Sequence, residues 1–185
     1  MSSRVLITGG AGFVGFHLAK CLLDTGYTVH LVDNHARGIW DQHMASLLSE
    51  PSAKFSRIDL LDGDAVLGLG SKFDAIFHLA AIAGVRKYFS IPAEFIEVNV
   101  IGTYNILEAI KGNPNIKAFV DFSTSEIYGS DCFNAREEND VKIENLSEKR
   151  WTYATSKIVS EKFGMGYFWQ YEVPFIGVRP FNIYG

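Results

Sequence analysis

Little in this sequence points to covalent cross-links, a membrane or a polyanion. Its 185 residues include two cysteines, Cys21 and Cys132, far apart and in no metal-ligand pattern, which argues against both a disulfide framework and a bound metal. Cys21 falls among apolar helical residues, which predicts a buried, inert thiol. No apolar run reaches the roughly 18 residues needed to span a bilayer. The first such run, Arg4-Val5-Leu6-Ile7-Thr8, is too short for a secretory leader and leads straight into glycines. Basic charge is also scarce: 17 Lys and Arg against 21 Asp and Glu leave a net charge of −4, so no basic field invites nucleic acid. A globular, cytoplasmic protein with neither nucleic-acid nor membrane partner is the expectation, and 48% hydrophobic residues suffice for a sizeable core.

What the chain does have is alternation. Strand signals over Arg4–Thr8, Thr28–Asp33, Lys54–Ile58, Ala75–Leu79, Lys117–Phe122 and Pro174–Val178 are separated by helical ones. The helices are expected from Phe13 to Leu23, Gln42 to Leu48, Ala65 to Leu69, Ala93 to Ile110 and Thr152 to Tyr171. In the fourth, Phe95, Val98, Ile101, Ile106 and Leu107 share a face. The polar stretch from Ser130 to Lys149 reads as a surface loop or flap. Such alternation predicts an α/β fold: a doubly wound parallel sheet of the Rossmann type, residues 1–185 forming one dinucleotide-binding domain. Its ligand crevice then opens at the carboxyl ends of the strands.

Between the first strand and the first helix lies Thr8-Gly9-Gly10-Ala11-Gly12-Phe13-Val14-Gly15. Glycines there let the backbone turn tightly and approach a pyrophosphate, whose charge meets the free N–H groups at the helix start. Asp33 ends the second strand, where a carboxylate binds both ribose hydroxyls of adenosine and repels a 2′-phosphate, favouring NAD over NADP. Arg37 nearby keeps NADP open. Asp59, before Leu60, either reaches the adenine edge or caps a helix. On the last helix Tyr153 and Lys157 stand four residues apart and so share a face. A lysine beside a bound nicotinamide cation favours the phenolate, making the tyrosine a usable general base.

These features occur in order with His78-Leu79-Ala80-Ala81, Val98-Asn99-Val100-Ile101-Gly102-Thr103, Ser123-Thr124-Ser125-Glu126-Ile127-Tyr128-Gly129 and Arg179-Pro180-Phe181-Asn182. The whole resembles the extended short-chain dehydrogenases/reductases, the nucleotide-sugar epimerases, dehydratases and decarboxylases. The resemblance implies NAD as cofactor, a nucleotide-diphosphate sugar as substrate and a homodimer. It places Gly9, Gly12, Phe13, Val14, Gly15, Asp33, Asn34, Asp59, Leu60, Leu79, Ala80, Ala81, Asn99 and Ser123 around the cofactor, together with Tyr153 and Lys157. It gives Thr124 the sugar 4-hydroxyl alongside Tyr153 as base, and puts Asn182 near the substrate phosphates. Arg86 is either part of the substrate-side loop or a surface residue.

Ser125 and Glu126 bear on which reaction follows. A ketone at C4 acidifies the C5 proton, which a neighbouring carboxylate can abstract. Thr-Ser-Glu resembles the pattern of GDP-mannose-type 4,6-dehydratases and UDP-glucuronate decarboxylases more than that of simple 4-epimerases; the plainer reading is a surface-paired Glu126. His78 reads as a strand-end packing residue. Family members continue well past Gly185, so the resemblance also implies a truncated chain that largely lacks the C-terminal substrate lobe, doubtful catalysis by this chain alone, and exposed apolar surface where that lobe would dock.

Overall fold

Val5, Leu6 and Ile7 follow one another in the first strand and all three are buried, as happens in a sheet covered on both faces. The computed structural model describes residues 2–38 and 40–184, with the side chains of Val85, Arg86 and Tyr88 outside the described set. Among the described residues one sheet contains β1 (Arg4–Thr8), β2 (Thr28–Asp33), β3 (Ala53–Arg57), β4 (Ala75–His78), β5 (Ala118–Phe122) and β6 (Phe175–Val178). Their order is β3-β2-β1-β4-β5-β6, and every pairing is parallel. This is the predicted doubly wound arrangement, with strand order reversing between β1 and β4.

The helices are α1 (Phe13–Asp24), α2 (Gln42–Leu48), α3 (Gly63–Leu67), α4 (Val85–Ser90), α5 (Pro92–Ile96), α6 (Gly102–Ile110) and α7 (Thr152–Tyr171). Alternate residues of β1 feed two cores, as a period of two requires. Val5 and Ile7 pack with Val29, Leu31, Ala19, Met44 and Leu47 beneath α1 and α2. Leu6 packs with Ile76, Ile106, Leu107, Phe119 and Tyr167 beneath α6 and α7.

Four details depart from the expectations. The predicted helix from Ala93 to Ile110 is interrupted by a π-helical turn over Glu97–Ile101, whose wider turn rotates the residues that follow. Asn99 is thereby buried completely, and Ile101 leaves the apolar face to stand 43% exposed. Cys21 is exposed rather than buried. Gly15 and Ala19 are the buried residues of α1, and a side chain two positions beyond Ala19 is turned roughly 200° away from it. The third helix begins two residues earlier than its apolar pattern indicates, because Asp62 caps it by accepting from Ala65 N at 3.0 Å. Helix α4 was not anticipated.

Candidate active site

All the loops that follow β1, β2, β4, β5 and β6 lie at the carboxyl edge of this parallel sheet. At Gly9 and Gly15 the glycine turn is packed too tightly for a side chain. Gly9 has a φ of 69°, and a Cβ there would lie 2.8 Å from Ala80 N; a Cβ on Gly15 would collide with Gly9 O and Gly10 Cα. Gly12 begins α1 without any side-chain cap, so the first N–H groups of that helix remain open to an anion.

Asp33 closes the turn from the side. Its two carboxylate oxygens accept from Ala11 N at 3.1 Å and from His35 N at 2.8 Å, while Gly10 N donates to Val32 O. Asn34 donates to Asp59 Oδ2 at 3.1 Å, and the other oxygen of Asp59 accepts from Leu61 N. Asp59 is therefore not the cap of α3, a task that falls to Asp62. Leu60 is buried in the core. Arg37 reaches across to donate to Ala83 O at 2.8 Å, joining the loop after β2 to the loop after β4.

A buried polar chain backs this crevice. His78 bonds Thr8 Oγ1 through Nδ1 at 2.8 Å and Thr103 Oγ1 through Nε2 at 3.0 Å. Thr103 spends its one hydroxyl hydrogen on Asn99 O, so Nε2 is the protonated nitrogen and Nδ1 accepts from Thr8. Burial, helped by the charge of Lys157, lowers the pKa of His78 to about 3 and keeps it neutral. Asn99 binds Ile82 N and Ile82 O with its amide and donates to Ser156 Oγ at 3.0 Å.

The segment after β5 carries Thr124, Ser125 and Glu126, three of the expected site residues. Thr124 Oγ1 accepts from Glu126 N at 3.2 Å, which caps the short 3-10 turn Ser125–Tyr128 and leaves its own hydrogen to donate. Ser125 N donates to Pro180 O. Glu126 Oε2 pairs with Arg150 Nη1 at 3.1 Å, a partner that precedes α7 and that no sequence signal identified. A cavity of about 430 Å³ gathers Val14, Leu79, Ala81, Ser123, Thr124, Ser125, Glu126, Tyr153 and Asn182 into its wall. A second of about 750 Å³ adjoins it through Ser125, Glu126 and Phe181, and includes Arg150 and Trp151.

The other expected site residues lie elsewhere. Asp33, Asn34 and Asp59 stand at the ends of β2 and β3, apart from this cavity. Asn99 is enclosed between helices. Lys157 is fully buried, with Nζ 3.5 Å from Oδ1 of an equally buried Asp121. The side chain of Arg86 falls outside the described residues. Within the described residues no cluster of three or more His, Cys, Asp or Glu is arranged to hold a metal ion. No helix among them is long and apolar enough to cross a membrane. Ile176, Phe181, Ile183 and Tyr184 are exposed along β6 and the segment after it.

The profile of the NAD dependent epimerase/dehydratase family matches residues 5–185. The chain belongs to that family. Its relatives include the UDP-N-acetyl-alpha-D-glucosaminuronate decarboxylase of Bacillus cytotoxicus, 40% identical over 100% of this chain and 56% of the relative. Among solved structures, the UDP-glucose 4-epimerase of Thermotoga maritima with UDP-glucose superposes with a TM-score of 0.84 at 28% identity, over 98% of this chain and 56% of that one. The enzyme WbmF of Bordetella bronchiseptica in complex with NAD+ does so with a TM-score of 0.78 at 29% identity, over 100% and 51%. The chain thus spans about half the length of these family members. The residues present fit the family's cofactor: a turn with no room for a Cβ at Gly9 or Gly15 beside an open helix start, and a carboxylate at the end of β2.

Proposed function

We propose that residues 1–185 form an NAD-binding Rossmann domain serving a nucleotide-sugar epimerase or dehydratase that oxidises its substrate transiently at sugar C4. The observation that carries this reading is the shared cavity: Thr124, Glu126 and Tyr153 meet Val14, Leu79 and Ala81 in one wall, beside the glycine turn. When bound, NAD supplies the acceptor for the C4 hydride and gives it back.

The chain's own residues do the rest. Gly9, Gly12, Phe13, Val14 and Gly15 hold the pyrophosphate against the start of α1. Asp33 and Asn34 take the adenosine ribose, and Asp59 and Leu60 the adenine side. Leu79, Ala80 and Ala81 line the nicotinamide half, with Asn99 and Ser123 behind them. Thr124 orients the 4-hydroxyl, from which Tyr153 takes the proton, and Lys157 favours the phenolate one helical turn away. Ser125 and Glu126 lie where the sugar ring would sit, Glu126 to abstract the C5 proton; Arg86 and Asn182 contribute to the substrate grip. Ile101, Tyr104 and Phe168, exposed on α6, α7 and the π turn, support a homodimer through those helices.

Decarboxylation is the second reading. It is favoured by the 40% identity to a UDP-sugar-acid decarboxylase and by Arg150, whose guanidinium opens onto the larger cavity beside Glu126. Incubating the complete protein with NAD+ and a panel of UDP-, GDP- and dTDP-sugars separates these chemistries by product mass. An unchanged mass means epimerisation, loss of water dehydration, and loss of carbon dioxide decarboxylation. Tyr153→Phe is expected to abolish turnover while leaving NAD+ binding intact. If no sugar in the panel is converted, the catalytic reading fails and an NAD-binding module is left.

A further inference from the structure

Asp121 is an acid in an otherwise apolar strand, β5, one residue from its carboxyl end, and its side chain has no access to solvent. Oδ1 stands 3.5 Å from Lys157 Nζ, which is equally buried. That is longer than a charge-assisted hydrogen bond of about 2.7–2.9 Å. Within the described residues neither oxygen of Asp121 and no hydrogen of Nζ finds a hydrogen-bond partner, and Ser123 Oγ, one residue past the end of that strand, is also without one. An ammonium this deeply buried sheds its proton readily unless a counter-charge holds it.

The other charged or titratable groups around the pair do not fill that role. His78, across from Asp121 in register on β4, is neutral. Glu161, one turn further along α7, is held by Arg179 through two bonds, the shorter 2.8 Å, and Arg179 also binds Tyr128. Tyr153, one turn back, bears the proton that is to be moved. This leaves Asp121 opposite Lys157.

We propose that Asp121 is a positioning residue of the proton-transfer site, acting through Lys157: it keeps the lysine charged and anchored at the inner end of β5, so that Tyr153 can give up its proton. The inference rests on the reading of Tyr153 as the base. Asp121 and Lys157 exchange no proton with the sugar; the Tyr153 phenolate takes the hydroxyl proton and becomes a phenol.

The test follows the ionisation of Tyr153 by the ultraviolet absorbance of tyrosinate, with and without NAD+. The contribution of Tyr153 is isolated by subtracting the titration of the Tyr153→Phe variant in the same background. In the unsubstituted chain Tyr153 is expected to ionise below the ordinary tyrosine value of about 10. In Asp121→Asn the midpoint is expected to rise by about one pH unit or more, a loss of roughly tenfold in phenolate near neutrality. A midpoint that stays put or falls overturns the role of Asp121. If Tyr153 titrates like an ordinary tyrosine in the unsubstituted chain, the base reading itself fails and takes this inference with it. Should Asp121→Asn not fold, urea unfolding decides. Lys157→Met strands a buried carboxylate and is expected to unfold at lower urea than Lys157→Met/Asp121→Leu; a double variant no more stable than the single one overturns the pairing.

Discussion

The side-chain amide of Asn99 donates to Ser156 Oγ at 3.0 Å, and that hydroxyl donates in turn to Tyr153 O at 2.7 Å. A π-helical turn in one helix thus holds the turn of α7 that carries Tyr153 and Lys157. The same amide also binds Ile82 N and O, so the loop after β4 is tied to the same point. Truncating Asn99 to Ala strands these buried groups at ~1–3 kcal/mol each. Asn99→Ala is expected to lower stability by about 2–4 kcal/mol. Urea unfolding measures it, and a loss under about 1 kcal/mol would show that the amide is not the joint.

The glycines are predicted to divide sharply. Gly15→Ala drives a methyl into Gly9 O and Gly10 Cα, and should weaken NAD+ binding at least tenfold by calorimetry. Gly166, within α7, has no atom near where a Cβ would go. Gly166→Ala should leave NAD+ affinity unchanged and raise stability by about 0.5–1 kcal/mol, the ordinary gain in a helix interior.

Asp33 has a structural duty and a proposed recognition duty. Losing a carboxylate that accepts charge-assisted bonds costs ~1.5–3 kcal/mol where these are strengthened by the ligand. Asp33→Ser is expected to weaken NAD+ by tenfold or more and to narrow the preference over NADP+, whose 2′-phosphate no longer meets a negative charge. Titrating the variant with both dinucleotides tests this; an unchanged ratio of affinities would remove Asp33 from cofactor selection.

Two histidines shape the acid side of the stability curve. Burial holds His30 near 4, aided by the charges of Lys54 and Arg4, and holds His78 near 3. An unfolded histidine binds its proton near 6.5. The unfolded chain therefore takes up more protons as pH falls from about 6.5 towards 4, and each histidine removes ~1.4 kcal/mol of stability per pH unit within its window. Asp121 works in the opposite sense, because burial raises its carboxyl and the folded form binds that proton first. Comparison with a variant isolates one contribution. The gap in unfolding free energy between the parent and His30→Gln should shrink as pH falls from 6.5 to 4.5, and a constant gap would contradict the placement of His30.

The parts of the site legible in the sequence are those whose chemistry is local. A turn between strand and helix needs glycine at fixed offsets, so Gly9 to Gly15 announced themselves. Tyr153 and Lys157 share a face because a helix repeats every 3.6 residues. Arg150 and Asp121 were not legible: one belongs to a single 3-10 turn and the other to a strand, and each gains meaning only from a partner far away in the chain. Cys21 was misplaced because α1 is apolar on more than one side, and composition does not say which side the sheet covers.

By itself the sequence determined the alternation of strands and helices, the glycine turn and the carboxylate that ends β2, since backbone sterics and side-chain periodicity act over a few residues. Only the tertiary structure decided that Glu126 answers to Arg150, that a π turn buries Asn99 beside Ser156, and that Lys157 Nζ lies 3.5 Å from Asp121 Oδ1. Those pairings depend on how the helix after β5 settles onto the sheet, a matter of packing between surfaces that the chain brings together only when folded.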